Sequence, residues 1–173
     1  MHQKEWSEII EVLDGFILKW SIVASKGGPK TDVAKALDAA LYARGWTERK
    51  FDTKIVVDDD EYPSPTHKVD CFKNRVALEV EWNNKDPFFD RDLNNFRLLY
   101  ELRVIDVGVV VTRATRLQEW LNANFEMLNK QRGTYGKSTT HFEKLGPKII
   151  GGGAGGCPVL VFSIKAEAYV DDR

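Results

Sequence analysis

An α/β fold, with a central mixed β-sheet flanked by helices, is what this 173-residue sequence predicts. Three observations carry that reading. Apolar residues recur at spacings of three and four near the N-terminus, the period of a helix with one buried face. The period changes near residues 70–82, where apolar residues and acids alternate as in strands, and VIDVGVVV is a β-branched run suited to a strand buried on both faces. Strand and helix patterns then alternate after residue 66, the order that lays helices on a sheet.

Taken in order, residues 4–24 read as one helix on Trp6, Ile9, Ile10, Leu13, Ile17, Trp20 and Val23. KGGPKTD breaks it. Thr31 is suited to cap a second helix, with Val33, Leu37, Ala40 and Leu41 on its inner face and Gly45 at its end. KIVVDDDEYPSPTH gives a short strand, an acidic turn and a proline-containing loop. Two strands follow in DCFKNRVALEVEW, joined at Asn74–Arg75, since asparagine tolerates the left-handed conformation of a tight turn. A third helix covers residues 90–103 on Leu93, Phe96, Leu99 and Tyr100; after the VIDVGVVV strand, a fourth covers 115–129 on Leu117, Trp120, Leu121 and Leu128. A polar, basic loop (130–146), the run GGGAGG and a last apolar strand, CPVLVFSI, complete the chain. GGGAGG lacks the Lys-Ser/Thr and the helix of a phosphate loop, so it reads as a flexible connection or a close backbone approach to a ligand. No internal repeat or boundary interrupts the pattern, so residues 1–173 read as a single domain, helical over 1–50 and α/β over 51–173.

Composition limits the function. Hydrophobic residues at 43% and charged residues at 29% describe a globular chain with a proper core. No apolar run is long enough to span a bilayer, and MHQKEWSEIIEVLDG carries acids where a signal peptide needs an apolar stretch. Cys71 and Cys157 make no zinc spacing, so a reduced, cytoplasmic protein is expected. A net charge of -1 excludes a broadly cationic nucleic-acid coat but not a locally basic groove.

The chemistry concentrates in the hairpin. Folding it about Asn74–Arg75 sets Asp70 opposite Glu79 and Lys68 opposite Glu81, so the three acids project on one side while Cys71, Leu78 and Val80 enter the core. Directly opposed like charges cost up to about 1 kcal/mol. Lys68 relieves part of that, and a divalent cation relieves more. Carboxylate oxygens suit Mg2+, which activates water and stabilises charge on a phosphate. Against this stands an exposed strand face that is merely acidic.

VDCFKNRVALEVEW resembles the active-site stretch of type II restriction endonucleases of the PD-(D/E)xK superfamily, in the BglII and BamHI branch and closest to the BglII-type group, over roughly residues 66–165. The resemblance implies a restriction endonuclease-like core, a Mg2+ cofactor, double-stranded DNA as partner, a homodimer reading a palindrome, and a prokaryotic or phage setting. It implies that Asp70 and Glu79 are metal ligands, joined by the backbone carbonyl of Val80. Glu81 stands where most of the superfamily has lysine, BglII-like enzymes have glutamine and BamHI-like enzymes have glutamate. Either Glu81 or the metal alone then activates the water. In the BglII-like group the positions of Asn83 and Asn84 lie beside the major groove, with Lys85 next to them. KQRGTYGKSTTHFEK matches a base-contacting segment, with Lys130 and Lys137 suited to phosphates and Ser138, Thr139, Thr140 and His141 to bases. A GATC-centred hexamer is the first site the resemblance suggests. Two other functions share these features: a structure-specific or non-specific nuclease of the same fold, and a DNA-binding protein that does not cleave.

Overall fold

The computed structural model describes residues 2–26, 28 and 30–173, with Pro65 described by its backbone alone. The chain runs α1 (Gln3–Asp14), β1 (Leu18–Lys19), α2 (Trp20–Val23), α3 (Asp32–Tyr42), β2 (Thr47–Arg49), β3 (Asp52–Val57), β4 (Asp60–Pro65), β5 (Val69–Lys73) and β6 (Val76–Glu81). It continues through α4 (Pro87–Glu101), β7 (Val107–Arg113), α5 (Thr115–Ala123), α6 (Phe142–Ile150), β8 (Val159–Ile164), a single 3-10 turn and β9 (Tyr169–Val170). None of the described helices is long and apolar enough to cross a membrane.

The central sheet has the order β2-β5-β6-β7-β8. β5 runs antiparallel to both of its neighbours, β2 and β6, whereas β6, β7 and β8 run parallel, so the sheet is mixed as expected. Helices cover both faces. On one face Val33, Leu37 and Leu41 of α3, Ile9 of α1 and Leu117 and Leu121 of α5 pack on Cys71, Leu78, Val80, Val109 and Val111. On the other, Phe89, Leu93, Phe96 and Leu99 of α4 and Leu145 of α6 pack on Ala77 and Val110. Every residue of β6 is buried, because it lies inside the sheet with a helical layer on each side.

The hairpin register is the one the sequence predicts: Cys71 faces Leu78, Phe72 faces Ala77 and Lys73 faces Val76. Asn74 (φ 44°) and Arg75 (φ 69°) are both left-handed, as a two-residue turn matched to strand twist requires. Thr31 caps α3 by accepting from the Ala34 N–H at 3.3 Å. Gly45 is left-handed (φ 84°), beyond the helix end at Tyr42. Gly27 and Pro29 of the preceding break lie outside the described residues.

Several boundaries differ. The single helix expected over 4–24 stops at Gly15, because the apolar residues beyond it serve different partners. Leu18–Lys19 pairs in parallel with Tyr169–Val170, and the Trp20 indole donates to the Met127 carbonyl at 2.8 Å. The expected proline loop is strand β4, paired with β3 in a separate two-stranded ribbon where proline's missing N–H is tolerated. The helix expected over 115–129 ends at Ala123, and the end of the loop expected over 130–146 belongs to α6. GGGAGG forms turns packed on α4. A Cβ at Gly155 (φ 57°) would lie 2.7 Å from Arg97 Cγ, so the close backbone approach is to that helix.

Candidate active site

At the open end of the hairpin the main-chain ladder gives way to carboxylates. The last backbone pair is Cys71 with Leu78. Beyond it, the Asp70 N–H donates to Glu79 Oε2 at 3.2 Å, and the Val80 N–H donates to Asp70 Oδ2 at 3.1 Å. Each acid therefore takes over a hydrogen bond that a strand neighbour would have supplied, which fixes both side chains.

Asp70 and Glu81 line one cleft of about 370 Å³, together with Lys30, Val80, Asn84 and Arg91. Glu79 does not line it; both Glu79 and Glu81 are buried, 1% and 2% exposed. The cations that answer these acids are not the expected one. Lys68 pairs with Glu48 of the neighbouring edge strand β2 at 2.8 Å instead of with Glu81. Lys30 instead reaches Asp70 at 3.0 Å and also pairs with buried Asp38 of α3. Arg91 of α4 lies 3.6 Å from Glu81 and 2.9 Å from Asp92. His67 lies 3.4 Å from Glu79 and 3.1 Å from Asp92. The Asn84 amide donates to Glu81 Oε2 at 2.8 Å.

Lys30, His67, Arg91 and Asp92 were not among the expected site residues. Asp92 left a signal: it falls on the buried stripe Phe89, Asp92, Leu93, Phe96, Leu99, where a charged residue is out of place without a partner. His67 and Lys30 sit in connecting segments and left none.

Burial pushes Glu79 up to about 8 and Glu81 up to about 9, with the neighbouring Asp92 adding to both. For His67, burial opposes the charge, but the Asp92 and Glu79 carboxylates outweigh it and raise the imidazole to about 9. All three hold their protons more tightly folded than unfolded. Their stabilisation is complete at low pH and is lost as pH rises through these values. The melting temperature of the protein without divalent cations should therefore fall by several degrees between about pH 5 and pH 9. Glu81→Gln should flatten that slope; an unchanged slope would remove Glu81 from the account.

The two stretches expected to read DNA are far apart in sequence, yet they meet. Lys85 and Thr139 form an antiparallel bridge; the Thr140 N–H donates to the Asn84 carbonyl at 2.8 Å, and the Asp86 N–H to the Ser138 carbonyl at 2.9 Å. The Asn83 amide reaches the Thr134 carbonyl at 3.2 Å. Buried Arg113, at the end of β7, fastens the pair: it donates to Thr139 Oγ1 and to the Thr140 carbonyl, each at 2.7 Å. It also packs against the Trp82 and Tyr135 rings. Burial lowers its guanidinium to about 9.

Within this pair, Lys85, Lys137 and Ser138 are exposed. Thr139, Thr140 and His141 are buried, and His141 Nδ1 lies 2.6 Å from the Thr139 carbonyl. Lys130 donates to the Ser25 carbonyl at the end of α2.

Residues 1–164 match a family model described as Restriction endonuclease BglII/BglIII. No curated protein matches the chain.

Proposed function

This chain belongs to the restriction endonuclease BglII/BglIII family, whose members cleave DNA, and from that premise we propose that it is a Mg2+-dependent type II enzyme hydrolysing double-stranded DNA at a short palindromic site. The observation that carries the reading is the convergence of Asp70, Glu79 and Glu81 at the open end of the hairpin, with only Trp82 between Glu81 and the segment Asn83–Lys85 that pairs with Ser138–His141.

The residues present fit Mg2+. Asp70 and Glu79, with the Val80 carbonyl, offer only oxygen donors, which this hard ion prefers. The Lys30 ammonium already sits on Asp70, so that carboxylate attracts positive charge. Bound there, Mg2+ would supply a water of lowered pKa and neutralise charge developing on the phosphate. The rest falls to side chains. The Val80 N–H orients Asp70. Glu81 lines the cleft with Oε2 held by the Asn84 amide, and with a metal bound its carboxylate is suited to position or deprotonate the attacking water. Arg91 lines the same cleft and offers its guanidinium to a phosphate.

A two-fold palindrome is best read by a two-fold dimer, so the working unit in this reading is a homodimer. Asn83, Asn84, Lys85 and Ser138 present the base-reading groups, Lys137 contacts phosphate, and Thr139, Thr140 and His141 hold the reading segment in shape. Lys130 contributes to DNA only by leaving the Ser25 carbonyl. The resemblance makes a GATC-centred site the first to test. Digestion of a fully sequenced plasmid with Mg2+ and with EDTA, followed by end mapping, tests the whole reading. Discrete metal-dependent bands sharing one terminal sequence are expected. A metal-dependent smear would shift the reading to a non-specific nuclease, and retarded but intact DNA to a binding protein.

Asn84→Ala should change which outer base pair is tolerated, costing roughly 1–3 kcal/mol for a lost bidentate contact. Uniform weakening on every sequence would mean that Asn84 serves only Glu81. By contrast, Lys137→Ala should weaken binding to all sequences and reduce the salt slope of log K by about one. A slope equal to that of the parent protein would take Lys137 off the backbone.

A further inference from the structure

We propose that His67, Glu79 and Asp92 form a second cation site, built for a divalent transition-metal ion such as Zn2+ and separate from the cleft of Asp70 and Glu81. The three residues come from three elements: the β4–β5 connection, β6 and α4. Each offers a ligand atom, all within 4.8 Å of one another. His67 Nε2 lies 3.4 Å from Glu79 Oε1 and 3.1 Å from Asp92 Oδ1. Around an ion with bonds of about 2.0–2.2 Å, neighbouring ligand atoms stand roughly 3.0–3.6 Å apart, and the two spacings from His67 Nε2 fall in that range.

A second observation points to an occupant. Glu79 is 1% exposed and Asp92 fully buried, yet Glu79 Oε1 and Asp92 Oδ2 accept no well-aligned hydrogen bond among the described residues, and His67 Nε2 lies close to both carboxylates without an aligned bond to either. Buried polar atoms are rarely left so, because each forfeits its hydration without return. Glu79 Oε2 is engaged by the Asp70 N–H, and Asp92 Oδ1, the oxygen nearest His67, also accepts from Arg91, which leaves Glu79 Oε1 and Asp92 Oδ2 for an ion. Those bonds hold the free atoms in place. One imidazole N–H cannot serve two carboxylates at once, whereas a cation can.

The donor set selects the ion. An imidazole nitrogen with two carboxylate oxygens favours Zn2+ and its neighbours over Mg2+, which prefers oxygen throughout. A cavity of about 270 Å³, lined by Thr66, His67, Arg91, Asn94, Asn95 and Leu98, opens beside His67. It shares only Arg91 with the cleft. The Asn95 amide in its wall is buried and likewise unpartnered, ready for a water that completes the shell. The site shares Glu79 with the proposed catalytic group but does not depend on that reading.

The test uses the whole chain without DNA, labelled with 15N and titrated with Zn2+ while the three histidine rings are followed by NMR. The His67 ring nitrogens should shift in a saturable, one-to-one manner, with His2 and His141 unmoved. Mg2+ at the same concentration should not reproduce the ring-nitrogen shift that direct ligation by Zn2+ gives. His67→Gln and Asp92→Asn should each lose one bound Zn2+ by calorimetry, and Asp70→Asn should retain it. A His67 resonance unmoved by saturating Zn2+, or a shift that survives in Asp92→Asn, overturns the proposal. If Asp92→Asn fails to fold, the parent protein's ring shift decides alone. A failed Mg2+ cleavage assay would sink the nuclease reading and leave this titration untouched.

Discussion

Asp70→Asn and Glu79→Gln should each abolish DNA cleavage, by roughly three orders of magnitude or more, while DNA binding stays intact or tightens. At about 1.36 kcal/mol per factor of ten, that loss is about 4 kcal/mol of transition-state stabilisation. Both substitutions keep side-chain size, and Asp70→Asn also removes a negative charge that would face a phosphate. In each variant the amide oxygen can still accept the backbone hydrogen bond that the carboxylate accepts, from the Val80 N–H in the first and from the N–H of residue 70 in the second. The hairpin end therefore keeps its shape. What is lost is the anionic oxygen that would hold a metal. Binding measured by mobility shift, beside cleavage of the same DNA, separates the two effects. Cleavage near the parent rate in either variant would end the metal-site assignment, and lost binding with a lowered melting temperature would show that the acid serves the fold instead.

Arg113→Met should carry the next largest effect, on recognition and stability together. Methionine preserves much of the apolar stem between Trp82 and Tyr135 but donates nothing to Thr139 or Thr140. Leaving two buried acceptors unmet costs roughly 2–5 kcal/mol, offset in part because a buried cation with no acid partner among the described residues is also removed. The net loss should appear in denaturant unfolding. The telling measurement is the ratio of affinities for cognate and random DNA, which should collapse toward one as Asn83–Lys85 and Ser138–His141 separate. A variant that melts lower yet keeps that ratio would show that Arg113 supports the core and not the reading surface.

Local residues were enough for the hairpin. Asn74 and Arg75 accept left-handed geometry, the alternation on either side of them sets a register, and a register settles which residues share a face. The buried run of β7 and the Thr31 cap were legible for the same reason: each depends on residues a few positions apart. The nature of the candidate site was legible through Asp70, Glu79 and Glu81, because acids inside an otherwise apolar pattern stand out. What answers those acids was not. Lys30, His67, Arg91 and Asp92 reach them only after α3 and α4 pack on opposite faces of the sheet. Lys68, adjacent in sequence, is turned away to Glu48. The break of the first helix was hidden likewise, since Leu18–Lys19 takes its strand partner from residues 169–170. The union of the two DNA-reading segments under Arg113 joins parts of the chain that lie far apart in sequence. Periodicity and turn chemistry act through neighbouring backbone, so they appear in the sequence. Charge pairing and burial act through space, and only the packing of helices on the sheet decides which distant groups share a low-dielectric pocket.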